Sequence, residues 1–282
     1  MTYDLLLAGD FDRAALAAAL ADLVGVPADA VDIAERDAED RAWDSPVLCT
    51  YEPVGGDLSW LLDIYLGVGA AKEPDVAVVA QLIAARLGTS VLWVAQEFPP
   101  SAFWLITPDG TRTRARVYDE EDGDLAAYRL DAVEKPVPQF PSVRVERLPE
   151  VIREHRVPTP VTDELAAWLA DEDTVLPEDS HDAVRHARTY LAVWEQLIER
   201  IAAGWPPDSW YPTDFYRDDL STRDQLETAL TWLPAAATGR FRWAIGRVDE
   251  KFKALTHQTT TPPAHGGDAW WWQRVPDKPG LV

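Results

Sequence analysis

The sequence predicts an α+β protein in two parts, a sheet domain over residues 1–134 and an all-helical domain over 161–282, joined by a linker over 135–160. Three observations carry this. Strand-like and helix-like runs alternate through the first half. Prolines at 136, 138, 141, 149, 158 and 160 then crowd a stretch that neither a helix interior nor a central strand tolerates. After them, apolar residues recur at helical spacing almost to the end.

Tyr3 to Leu7 reads as a first strand, stopped by Gly9-Asp10. Asp12 caps a helix with Leu16, Leu20, Leu23 and Val24 on one face and Gly25 at its end. Ala30 to Asp44 is polar and acidic, with Val31 and Ile33 as a short strand piece. Val47 to Glu52 and Leu58 to Leu66, separated by Pro53-Val54-Gly55-Gly56-Asp57, predict a hairpin. Pro74 opens a helix that carries Val76, Val79, Leu82, Ile83 and Leu87 inward and closes at Gly88, and Val91 to Phe98 is the next strand. Strand, helix, strand, strand, helix, strand is the split order of a ferredoxin-like βαββαβ sheet. An added hairpin follows, Phe103 to Thr107 and Thr111 to Tyr118 about the turn Pro108-Asp109-Gly110.

Beyond the linker, Thr162 to Ala170 predicts a short helix. Ser180 to Gly204 predicts a long one, with Val184, Tyr190, Leu191, Trp194, Ile198 and Ile201 on one side. Ser221-Thr222-Arg223-Asp224 resembles a capping box, which predicts a helix start there. Leu226, Leu230 and Leu233 continue it. Pro234 opens a partner helix bearing Phe241, Ile245, Val248, Phe252 and Leu255.

Of 282 residues, 47% are hydrophobic and 10% aromatic, enough for a core in each part and above the range of disordered chains. The formal charge is -22, from 48 acids and 26 bases, which disfavours direct contact with nucleic acid or an anionic membrane. Residues 1–135 hold 25 acids and 10 bases, a net of -15, leaving -7 for the remainder. The single cysteine, Cys49, makes no internal disulfide and fits a reducing, cytoplasmic setting. No apolar run approaches the ~20 residues that span a bilayer, and the start lacks an export signal.

Chemistry is sparsely marked. Gly67-Val68-Gly69 precedes a helix, but Lys72 occupies the place of the third glycine of a dinucleotide fingerprint, so an ordinary turn is expected. His181 and His186 lie five apart and do not share a helix face, so no metal is expected there. Cys49 sits in an apolar strand and reads as a core residue. No G-x-S-x-G, H-E-x-x-H or S-x-x-K motif occurs, and no cofactor is expected. Arg112, Arg114 and Arg116 alternate on one strand face, a pattern that blunts a sheet edge or else holds an anion or pairs with nearby acids such as the 119–124 run.

Partner-binding residues are expected in three places. The acidic run Asp119, Glu120, Glu121 and Asp122 reads as a solvated connector able to meet a basic surface. Tyr216 and Arg217 combine aromatic and guanidinium groups as binding hot spots do. Trp270, Trp271 and Trp272 cannot all face one way, so the tail either docks back on the protein or offers an indole to a partner. The expected function is a non-catalytic protein-binding module with a basic protein partner; an immunity or effector-neutralising component of a bacterial conflict system fits that description. Two alternatives stand beside it. One is an enzyme with a pocket between the two domains, using scattered groups such as Asp63, His181 and His186. The other is a scaffold component that self-associates through its aromatic tail.

Overall fold

The structure is a computed structural model that describes residues 2–67, 74–95, 99–122, 125–171, 176–259 and 267–282, the side chains of Glu121 and Asp122 excepted. The chain divides into two compact units, Met1–Val151 and Ile152–Val282. The fold is mixed α+β, with one large mixed sheet in the first unit and most helices in the second.

In the first unit the order is β1 (Thr2–Leu7), α1 (Arg13–Val24), β2 (Val31–Glu35), β3 (Val47–Pro53), β4 (Gly55–Gly56), β5 (Trp60–Leu66), α2 (Val76–Leu87), β6 (Val91–Val94), β7 (Ala102–Ile106), β8 (Arg112–Asp122), β9 (Leu125–Val133) and β10 (Arg144–Val145). A further helix, α3 (Pro149–Glu154), spans the boundary between units. Ten strands join in one sheet, ordered β10-β9-β8-β7-β6-β1-β5-β3-β2, with β4 pairing β9 off that path. It is larger than the four-stranded sheet and hairpin expected from the sequence. Pairs β2–β3, β4–β9 and β9–β10 are parallel and the rest antiparallel.

Local chemistry sets the helices of this unit. The Asp12 and Asp75 carboxylates accept the Ala14 and Ala77 N–H groups at 3.1 and 2.8 Å, and both helices end on left-handed glycines, Gly25 and Gly88. Leu16, Leu20, Val24, Val79 and Ile83 then bury against Tyr3, Leu5, Leu7, Leu62 and Ile64 on one face of the sheet. On the opposite face, Leu6, Leu92, Leu105, Val117 and Leu130 form a second core. The β3–β5 turn closes over that core. Gly55 and Gly56 align with Ala127 and Tyr128, the Asp57 N–H donates to the Tyr128 carbonyl at 2.8 Å, and the Asp57 carboxylate accepts the Leu130 N–H at 2.8 Å.

Three expectations are corrected in this unit. Within the acidic run 119–124, residues 119–122 are strand and not connector, their backbone continuing the β8–β9 ladder out to Asp122 opposite Leu125, because an antiparallel pair propagates as long as both strands stay extended. Gly123 and Asp124 lie outside the described residues. The arginine row does not lie on an edge, since β8 is flanked by β7 and β9. Arg112 and Arg114 instead stack on Trp104 at 3.8 and 4.6 Å, and Arg116 donates to Asp131, Glu146 and Glu150 at 2.6–3.0 Å. That network ties down the proline-rich stretch. Residues 135–151 belong to the first unit, with Val137, Leu148 and Val151 buried against the sheet.

The second unit holds α4 (Pro160–Leu169), α5 (His181–Ala203), α6 (Thr213–Leu230), α7 (Ala235–Ala254) and the short antiparallel pair β11 (Thr256–Gln258) and β12 (Arg274–Pro276), so it is not purely helical. Trp194, Trp205, Leu226, Phe241 and Phe252 are central to its core. Glu195 of α5 is buried and accepts Val161 N–H, Thr162 N–H and the Thr162 hydroxyl, each at 2.7 Å, supplying the N-terminus of α4 with a carboxylate. α6 starts at Thr213, eight residues before the expected capping box, of which Arg223 and Asp224 have tertiary partners while the Thr222 hydroxyl donates back to the Asp218 carbonyl. Arg223 donates to Asp249, and Asp224 accepts the indole N–H groups of Trp271 and Trp272 at 3.0 and 2.9 Å. Among the described residues no helix is long and apolar enough to cross a membrane.

Candidate functional site

Strand alternation places Thr2, Asp4 and Leu6 on the sheet face away from α1 and α2. Register extends the pattern sideways: Asp4 is paired with Asp63 on β5, Asp63 with Thr50 on β3, and Thr50 with Ala34 on β2. A polar row therefore crosses the strands beside the apolar core that contains Leu6. Asp4 and Asp63 are its centre. The Asp4 carboxyl is pushed up from the ordinary range, by partial burial first and by the Asp63 charge second.

At one end lies the β2–β3 connection, held by Arg41. Its nearly buried guanidinium donates to Asp32 Oδ2 at 2.8 Å, Thr50 Oγ1 at 2.7 Å and the Cys49 carbonyl at 3.3 Å. The same guanidinium lies 5.0 Å from the centre of the Trp43 ring, and Trp43 is 66% exposed. Asp37, Glu39, Asp40 and Asp44 flank that indole in sequence; all are exposed and none has an ion-pair partner among the described residues. A rigidly anchored arginine thus presents a bare indole among free carboxylates.

At the other end, Asp119 of β8 stands opposite Tyr128 of β9. The Tyr128 phenol is pushed up by burial, then by the charges of Asp119, Glu52 and Asp4, which places those carboxylates around it. Arg36 pairs with Glu52. Asp4, Asp63 and Asp119 have no cation among the described residues. Tyr65, next but one to Asp63 on the same face, is 45% exposed. Unneutralised carboxylates beside exposed aromatic rings attract ammonium and guanidinium groups and cover their aliphatic stems.

The expected site residues scatter. Asp119 belongs to this face, but Glu120 points to the other side of its strand and pairs with Arg129 at 2.6 Å. The side chains of Glu121 and Asp122 lie outside the described residues. Tyr216 is a core residue whose hydroxyl donates to the Arg274 carbonyl at 3.0 Å, while Arg217 is exposed and bound to Asp214 at 2.9 Å. Trp271 and Trp272 are 7% and 6% exposed, so both are core residues and not a partner surface; Trp270 is half-buried beneath Lys253 at 4.8 Å. The tail docks on its own helical unit.

The other residues singled out in the sequence are placed as follows. Cys49 is buried and its thiol is pushed up to about 12, chiefly by loss of solvent, so it carries no thiolate. His181 and His186 are exposed on α5, and no group of three or more His, Cys, Asp or Glu able to hold a metal occurs among the described residues. Of the segment expected to turn, Gly67-Val68-Gly69 to Lys72, all but Gly67 lies outside the described residues.

Sequence reasoning did not single out Asp4, Arg41 and Trp43, which the structure brings to this candidate face. The available signals were an acid interrupting each of two apolar strands, Tyr3-Asp4-Leu5 and Leu62-Asp63-Ile64, and a lone tryptophan inside an acidic stretch. Comparison with known proteins finds no family model, no curated protein and no solved structure that matches this chain.

Proposed function

We propose that this chain is a non-catalytic protein-binding module that takes a basic segment of a protein partner on the sheet face carrying Asp4, Asp63 and Asp119. The observation that carries the reading is the Asp4–Asp63 pair. Like charges directly opposite in an antiparallel ladder destabilise the sheet, and nothing cationic in the described residues offsets them. A partner lysine or arginine would. The exposed rings of Trp43 and Tyr65 supply the aromatic contacts on which interface energy concentrates.

The surrounding scaffold suits this role. We read β3-β5-β1-β6 with α1 and α2 as a ferredoxin-like nucleus extended at both edges; the strand order and antiparallel pairings support it. An effector-neutralising role in the cytoplasm is one use of such a face, supported by the net charge and the single buried thiol.

The test is capture of partners from native cells by the tagged chain, compared with an Asp4→Asn/Asp63→Asn variant. A basic protein retained by the wild type, released by rising salt and lost in the variant supports the reading. Equal capture by both discards it.

A further inference from the structure

The basic group this face takes has a counterpart on the chain itself. Helix α7 carries Arg240, Arg242, Arg247, Lys251 and Lys253 against two acids, Asp249 and Glu250, in a chain of net charge -22. Lys251 is paired with Glu199, and Lys253 with Glu250. Arg240 and Arg247 share one carboxylate, Glu164 of α4, at 3.0 and 2.6 Å. Arg242 has no partner among the described residues. Two positive charges therefore remain uncompensated on this helix.

Between those arginines stands Trp243, 42% exposed, with the Arg240 and Arg247 guanidiniums 4.3 and 4.8 Å from its ring centre. Beside it is an open depression of about 600 Å³ lined by Arg242, Trp243, Gly246, Arg247 and Glu250. Gly246 lines it without a side chain, and the space above its Cα is open.

We infer that α7 of one copy docks on the Asp4–Asp63 face of a second copy, Arg242 and Arg247 against the two carboxylates and Trp243 beside Tyr65. The inference rests on the reading of that face as a site for basic segments. Charge and number match: a net of two positive charges on α7 meets two uncompensated carboxylates, with Glu164 left to Arg240 when Arg247 turns to the face. Five residues advance a helix by about 7.5 Å and turn it by about 140°, so Arg242 and Arg247 converge only through their long stems, at the depression both of them line, to meet strand residues about 5 Å apart. The two surfaces lie on different units of the chain, so the contact is heterologous and either closes a ring or extends head to tail. Copies of like net charge still approach, because charges farther apart than the ~8 Å Debye length are screened at physiological salt while contacting pairs are not.

Sedimentation velocity of the full chain over a concentration series decides it. At physiological salt the average mass rises with concentration and falls back at high salt. Arg242→Glu/Arg247→Glu and Asp4→Asn/Asp63→Asn each weaken association by more than about tenfold. Mixed together, the two variants form a 1:1 dimer and nothing larger, since each retains one intact surface. Circular dichroism checks the fold, and Arg242→Gln alone gives a milder loss that no folding defect explains. Wild-type protein that stays monomeric, or a charge-reversed α7 variant that still associates, overturns the inference. The face itself is judged separately: a foreign basic protein captured by the α7 variant and lost by the Asp4/Asp63 variant leaves that reading standing while the self-docking falls.

Discussion

Asp4 of β1 stands directly across the antiparallel ladder from Asp63 of β5, and partial burial first, with the Asp63 charge second, raises the pKa of Asp4. A sheet with no use for that pair gains by losing it. Replacing either aspartate by asparagine is expected to stabilise the first unit near neutral pH by about 0.2–1 kcal/mol, measured by urea unfolding. The same substitution weakens capture of a basic partner. Stability and binding moving in opposite directions is the signature of a surface kept for contact and not for folding.

Trp43→Ala separates the two properties more cleanly. The indole is exposed and buries little of the fold, so the unfolding midpoint stays within about 0.5 kcal/mol of wild type. Partner affinity falls by about tenfold or more if the ring is a hot spot, read by titration calorimetry with the captured protein. An unchanged affinity removes Trp43 from the site.

Asp219 of α6 accepts the Tyr211 hydroxyl at 2.7 Å, and burial pushes its carboxyl up to about 6 from an ordinary 3.8. The folded state therefore binds this proton more readily than the unfolded chain. Asp219 costs stability above its folded pKa, and the cost disappears as pH falls from about 7 through 6 towards 4. Asparagine keeps an acceptor for Tyr211 and removes the titration. The Asp219→Asn variant should melt above wild type near pH 7, the difference should shrink as pH falls through about 6, and the two should converge only below about pH 4 in calorimetry run across that range.

Gly56 has φ +82°, and a Cβ at that position would collide with the Tyr128 backbone. Gly56→Ala is expected to cost about 1–3 kcal/mol and to detach the β3–β5 turn from β9. Hydrogen exchange reads this at one bond: the Asp57 amide, which donates to the Tyr128 carbonyl, loses protection before the centre of the sheet does.

What the sequence made legible was local. Asp12 and Gly25, Pro108-Asp109-Gly110, and Gly204 at the end of α5 each act within a few residues of where they stand, and each marks an observed boundary. Where tertiary partners compete, the local signal misleads. Ser221 to Asp224 looks like a helix start, yet Arg223 and Asp224 are committed to Asp249 and to two tryptophans 47 and 48 residues away, and the helix runs straight through them. The candidate site was hidden for a related reason. Asp4, Thr50 and Asp63 are scattered in sequence and become a row only through strand register, which the order of elements does not specify.

The bond between Asp224 and the two tail tryptophans also fixes a schedule. On the ribosome, α6 emerges well before its partners exist: 47 residues separate Asp224 from Trp271, on the order of 2–10 s of synthesis at ~5–20 residues per second. Through that interval a carboxylate destined for the interior has only water for company. Until translation has passed Trp272, the nascent helices present an unfinished flank, and a chain released early would carry that flank as a mark for the cell's folding and disposal machinery.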